Sequence, residues 1–135
     1  MLENNPDKVK LVFKNFPLSF HKQALPAAQA ALAAHNQGKF WEFHDRIFAA
    51  GPLQDDTYKK IATALGLDMT KFEADQKSPL IRSRIMNDLQ QGRQAEVNST
   101  PSIFINGWRF EGQRTPQGFQ QKIDEELAQL KNTKK

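Results

Sequence analysis

No cysteine occurs anywhere in the 135 residues. That excludes disulfides, thiolate metal sites and every thiol-based reaction carried by these residues alone, and it leaves the redox compartment undetermined. No apolar run approaches the ~20 residues of a helical membrane span. The opening Met1-Leu2-Glu3-Asn4-Asn5-Pro6-Asp7 has none of the apolar core that a secretory leader carries. There is no glycine-rich phosphate loop, and no serine sits in a nucleophile-elbow pattern. Histidine is scarce: His21, His35 and His44 form no i,i+4 pair and no HExxH pattern, so no metal site is expected. His44 is expected to pack and hydrogen-bond on its helix, and His21 to cap or buttress the turn after Leu18. Nor is any cofactor expected.

What remains is ordinary for a globular protein: 39% hydrophobic, 25% charged, and long enough for one domain with a real core. The net charge of +4 is mildly basic, but part of it lies in the tail Lys131-Asn132-Thr133-Lys134-Lys135, best read as a frayed end rather than a nucleic-acid arm. Elsewhere basic and acidic residues are interspersed, with no stripe to follow a phosphate backbone.

Along the chain, Val9-Lys10-Leu11-Val12-Phe13 reads as a strand, spanning 8–14 and ended by Phe16-Pro17-Leu18. A run of about five helices follows over 22–96. The first is alanine-rich from about Gln23 to Asn36, and Pro26 either sits in its first turn or kinks it. The second, Lys39 to Ala50, has Phe40, Phe43 and Ile47 on one stripe with Trp41, His44 and Phe48 beside it; this spacing makes the aromatics core rather than a ligand pocket. A third follows Asp55-Asp56 and carries Tyr58, Ile61, Ala62 and Leu65; a short fourth after Asp68 carries Phe72. Ser78-Pro79 opens the fifth, with Ile81, Ile85, Met86 and Leu89.

The stretch Ser99-Thr100-Pro101-Ser102-Ile103-Phe104-Ile105-Asn106-Gly107-Trp108-Arg109-Phe110 predicts a hairpin over 102–112. Asn-Gly is the preferred pair for a two-residue turn because both positions need positive φ. Pro101 lacks an N–H and belongs at the strand's entrance, either as a plain strand cap or as a cis-proline. Thr115-Pro116 then opens a last helix, 116–130, with Phe119, Ile123, Leu127 and Leu130 on one face. The acids Asp55-Asp56 and Asp124-Glu125-Glu126 read as solvated surface or first-turn charges. Asn4-Asn5-Pro6-Asp7 is a helix stop with almost no helix before it, an arrangement that points to an element upstream.

In combination these motifs are more specific than any one of them. Val-Lys-Leu-Val-Phe-Lys-Asn-Phe-Pro-Leu (9–18), His21 with the alanine-rich helix, Gly-Lys-Phe-Trp-Glu-Phe-His-Asp (38–45) and Thr-Pro-Ser-Ile-Phe-Ile-Asn-Gly (100–107) resemble the DsbA-like thiol:disulfide oxidoreductases, from about Val9 to Leu130. The resemblance implies an α/β, thioredoxin-like fold with a helical insertion, as a single domain over 1–135. It implies that Pro101 is cis, that its loop faces a Cys-x-x-Cys, and that the backbone of Thr100 pairs with an extended substrate segment. Thr100 and Pro101 are therefore the candidate substrate-binding residues. No residue matches either catalytic cysteine, so no catalytic residue is assigned and no redox activity is expected from the chain by itself.

The family's strand before Cys-x-x-Cys lies between those matching 9–13 and 102–106, and its loss would leave on the order of ten ladder bonds unmade. The gap is expected to be filled, by a homodimer or by 9–13 re-pairing beside 102–106. Two functions follow: an N-terminally truncated oxidoreductase domain whose parent handles disulfides outside the cytoplasm, or a non-catalytic peptide-binding or self-assembly module. Neither involves nucleic acid or membrane.

Overall fold

The computed structural model describes residues 1–133. In chain order it contains α1 (Ala24–His35), α2 (Phe40–Ala49), α3 (Asp55–Ala64), α4 (Met69–Gln76), α5 (Pro79–Gln94), β1 (Phe104–Ile105), β2 (Trp108–Arg109) and α6 (Pro116–Thr133). These elements fall into two compact units: Lys14–Asn98 holds α1 to α5, and the residues before and after it hold the hairpin and α6.

In the helical unit α1 packs against α2, α3, α4 and α5. Ala30, Ala31, Leu32, Ala33 and Ala34 are all buried, and small side chains let four neighbours approach one helix. Around it close Phe43 of α2, Tyr58, Ile61 and Ala62 of α3, Phe72 of α4, and Ile81, Ile85 and Leu89 of α5. The Phe43 and Phe72 rings sit 5.8 Å apart. Pro26 lies in the first turn of α1, where its missing N–H removes no intrahelical bond, so it does not kink the helix.

The start signals act as sequence reasoning predicts. Asp68 accepts a hydrogen bond from the Lys71 N–H at 3.1 Å, and Ser78 accepts one from the Leu80 N–H at 3.2 Å with Pro79 next in line. The aromatic face of α2 departs from expectation. Phe43 is buried, but Trp41 is 43% and Phe48 78% exposed, so neither is core. A helix only ten residues long turns one stripe inward, and Phe48 falls beyond it.

A buried polar knot completes this unit. Asp88, on α5, accepts two hydrogen bonds on Oδ2 from Asn15, one from its backbone N–H at 3.0 Å and one from its amide at 3.1 Å. Both residues are buried. Tyr58 donates its hydroxyl hydrogen to Gln23 Oε1 at 2.7 Å. Burial, with the Asp55 carboxylate beside it, pushes the Tyr58 phenol up to about 12.

In the second unit β1 and β2 pair antiparallel, Phe104 opposite Arg109 and Ile105 opposite Trp108. The Phe110 N–H extends the pairing to the Ile103 carbonyl at 2.8 Å. Asn106 and Gly107 have φ of 51° and 84°, the left-handed pair that matches a two-residue turn to strand twist. The ladder is thus shorter than the 102–112 expected. On α6, Ile123 is buried and Phe119 stacks 4.8 Å from the Phe110 ring, while Leu130 is half exposed. Asn5 is buried in a two-way amide pair with Gln120, at 2.7 and 3.1 Å.

The strand expected over 8–14 does not form. A strand has no hydrogen bonds of its own and exists only beside a partner. The Lys8 and Val9 N–H groups both turn back to the Asn5 carbonyl at 3.3 Å. Among the described residues nothing bonds to the backbone of residues 10–12, and Leu11 and Val12 are exposed. Among the described residues re-pairing beside 102–106 does not occur either, the sheet being formed by β1 and β2.

Candidate functional site

α5 ends at Gln94, Glu96 takes a left-handed φ of 60°, and the chain reaches β1 through Ser99-Thr100-Pro101-Ser102. The Thr100–Pro101 peptide bond is cis. The Ser102 hydroxyl donates to the Ser99 carbonyl at 2.7 Å and staples this corner. Thr100 and Pro101 are both exposed, and among the described residues no hydrogen bond closes onto the Thr100 backbone.

The hairpin register decides which backbone groups face out. In an antiparallel ladder alternate residues direct N–H and C=O to the partner strand. Ile105, opposite Trp108 across the turn, and Ile103, whose carbonyl takes the Phe110 N–H, face β2. Phe104 and Ser102 therefore turn their backbone groups to the other side, where no strand pairs among the described residues. An open edge of about two residues continues into the exposed Thr100-Pro101 corner. Arg109 lies over the Phe104 ring at 5.2 Å to its centroid, a cation–π contact on one face of the hairpin.

A hydrogen bond joins the hairpin tip to α6, beside an ion pair within that helix. The Asn106 amide donates to Glu126 Oε2 at 3.4 Å, and Lys122 Nζ lies 2.7 Å from Glu126 Oε1. That approach pairs the charges without the alignment of a directed hydrogen bond. Lys122 draws the Glu126 carboxyl below the usual range, with help from Asn106 and against partial burial. Glu126 in turn raises the Lys122 ammonium. Glu126 is buried, not a solvated member of an acidic run. Its signal was Lys122, four residues earlier on the same helical face.

The three histidines belong to the helical unit. The His21 ring lies 4.5 Å from Phe20, and its N–H closes the turn onto the Leu18 carbonyl at 3.1 Å. His44 Nδ1 lies 3.1 Å from Asp45 Oδ1, and the His35 ring meets Phe40 edge-on at 6.2 Å. Among the described residues no three acids or histidines gather as a ligand set. The exposed Thr100-Pro101 corner thus runs into the outward backbone groups of Ser102 and Phe104.

A family model described as Thioredoxin matches residues 2–125. In three dimensions the chain resembles a thioredoxin-like oxidoreductase from Silicibacter pomeroyi, with a TM-score of 0.81 and 25% identity over 94% of this chain and 73% of that one. It also resembles the thiol-disulfide exchange protein alpha-DsbA2 from Wolbachia pipientis, at 0.79 and 27% identity over 90% of this chain and 67% of that one. In sequence it is 34% identical over 110 residues to the Na(+)/H(+) antiporter NhaA 1 of Mycolicibacterium vanbaalenii, and 34% over 107 residues to the Na(+)/H(+) antiporter NhaA of Herminiimonas arsenicoxydans. The matches cover 78% of this chain but only 18% and 17% of the antiporters' length.

Proposed function

Because the chain belongs to the thioredoxin family and has a DsbA-like thioredoxin fold, we propose that it binds an extended polypeptide along the Thr100-Pro101 corner and the open edge of β1, without redox chemistry of its own. One observation supports this most directly: the backbone groups of Ser102 and Phe104 face a side of the hairpin where no strand pairs among the described residues, beside an exposed Thr100. An extended segment placed there gains main-chain hydrogen bonds regardless of its sequence. That suits a domain whose clients are unfolded or extended chains.

Redox inactivity follows from the chemistry. Disulfide exchange needs a thiolate to attack sulfur and a second thiol to resolve the mixed disulfide, and these 135 residues contain no cysteine. Disulfide oxidation, reduction or isomerisation using this domain would draw both sulfurs from elsewhere. Ion exchange, named for the curated relatives, belongs to polypeptides more than five times the matched length, and we assign none of it here. No helix among the described residues is long and apolar enough to cross a membrane.

The test uses a permanently unfolded, cysteine-blocked polypeptide as the probe. Amide exchange at Thr100, Ser102 and Phe104 should slow on binding, and Phe104→Pro, which removes an outward N–H, should weaken binding with helix content unchanged. An insulin-reduction assay should match the buffer blank. Unchanged exchange at those three amides would defeat the reading. A homodimer is the second reading, favoured by the same unpaired edge: a second copy would supply the strand, and sedimentation equilibrium without probe would show it.

A further inference from the structure

Where the chain leaves β2 and turns into α6, residues 109–113 and the N-terminal part of α6 enclose a cleft of about 380 Å³. That volume falls within the ~300–1,000 Å³ usual for small-molecule sites. At ~100° per residue, Gly118, Lys122 and Glu125 stand on the side of α6 away from Gln120, which pairs with Asn5. The cleft therefore lies clear of the leading segment, and it shares no residue with the Thr100 corner.

The lining carries two cations, Arg109 and Lys122, and two carboxylates, Glu111 and Glu125. Lys122 is already held by Glu126 at 2.7 Å, and Arg109 lies over the Phe104 ring. An entering anion would meet the carboxylates and an entering cation the basic groups, so neither sign is selected. What remains is uncharged: the side-chain amides of Gln113, Gln117 and Gln121. Gln121 donates to Glu125 Oε1 at 3.3 Å, whereas the Gln113 and Gln117 amides make no hydrogen bond among the described residues. Each such amide presents donors and an acceptor side by side. Phe110 supplies an apolar floor, and Gly112 keeps it open, since a Cβ there would lie 2.9 Å from the ring. At one end the walls meet, where Gly118 comes so close to the Gln113 carbonyl that no methyl fits.

We propose that this cleft binds a neutral, compact, polyhydroxylated ligand: a saccharide unit. Neighbouring hydroxyls each donate and accept, which matches the paired groups of the glutamine amides. The C–H face of a sugar ring lies against Phe110 as the hydroxyls reach Gln113 and Gln117. The closed end excludes a polypeptide running through, and the balanced charge gives no advantage to a phosphate or an ammonium group. This goes beyond the binding proposed at the Thr100 corner, since it concerns other residues and another class of ligand.

The experiment titrates the full 135-residue chain, isotope-labelled for NMR, with maltose, cellobiose and diacetylchitobiose, and with acetate and methylammonium as charged controls. The side-chain amide signals of Gln113, Gln117 and Gln121 should shift saturably with at least one disaccharide and with neither control. Affinity should hold from low to moderate salt, because no charge pair forms on binding. Gln117→Leu and Gln121→Leu should each weaken binding about five-fold, from the loss of hydrogen bonds, with the unfolding midpoint unchanged. Amides that stay silent toward all the sugars would overturn the proposal. So would equal shifts with acetate or methylammonium, or full affinity in both leucine variants. Shifts confined to the backbone amides of 100–104 would place the sugar elsewhere and overturn it as well.

Discussion

Removing the Asp88 carboxylate should be among the most damaging single changes available to the helical unit. Asp88 is 7% exposed, and its Oδ2 accepts both the backbone N–H and the side-chain amide of Asn15, itself 6% exposed. A hydrogen bond to a charged group is worth roughly 1.5–3 kcal/mol, and a buried donor left without an acceptor costs ~1–3 kcal/mol. Because both bonds end on one oxygen they do not add fully, so Asp88→Ala should cost about 3 kcal/mol. Lys14, 3.9 Å away with its ammonium largely in solvent, adds little. Against a total stability of ~5–15 kcal/mol this is a large fraction. Equilibrium urea unfolding followed by helix ellipticity should show the midpoint falling by about 1–2 M at unchanged slope. Asp88→Asn, which keeps an acceptor oxygen but not the charge, should fall between mutant and parent. A midpoint for Asp88→Ala within about 0.2 M of the parent would show that Asn15 finds another acceptor or water, and the reasoning would fail.

Tyr58 is the sole tyrosine, so tyrosinate absorbance reports it alone; it should ionise near 12 rather than 10, and stability should drop as pH rises from 10 through that value, because only the unfolded chain then releases the proton easily. A midpoint near 10 in the folded chain would contradict the burial argument. Gly118→Ala places a methyl against the Gln113 carbonyl oxygen, a backbone atom that also accepts the Thr115 N–H. Overpacking of ~1–3 kcal/mol should outweigh the ~1 kcal/mol gained in helix propensity, so a raised melting temperature would refute it. Glu126 titrates below its unfolded value, so its contribution is present at neutral pH and is lost as pH falls through about 4.3 toward the folded value. Lys122→Met should flatten that acid limb in a pH series of urea midpoints, and an unchanged limb would remove the ion pair from the account.

Local chemistry made much of this fold legible in the sequence. Asp68, Ser78-Pro79 and Thr115-Pro116 cap helices through neighbours three residues away or fewer, and Asn106-Gly107 carries its turn within itself. Non-local choices were not legible. Residues 8–14 have strand composition, yet a strand needs a neighbour, and composition cannot say whether one is there. Asp88 finds Asn15 across 73 positions and Asn5 finds Gln120 across 115, with nothing in either neighbourhood to mark the pairing. Glu126 hid in a run of acids that spacing alone assigns to solvent. At the candidate site the hairpin and the Pro101 corner could be read directly, but the role of Thr100 came from family resemblance, and only the register showed which backbone groups face outward.

The two compact units are threaded differently along the chain. The helical one is a single uninterrupted stretch, whereas the other is assembled from both ends. During synthesis the helical stretch leaves the ribosome whole and is rich in near-neighbour contacts, the kind that form fast. Asn5 must wait for Gln120, 115 residues behind it. At ~5–20 residues per second that delay is on the order of ten seconds. Throughout it Asn5 lacks the amide partner against which it is buried in the finished fold. For this unit, translation speed rather than folding speed sets when that amide pair can close.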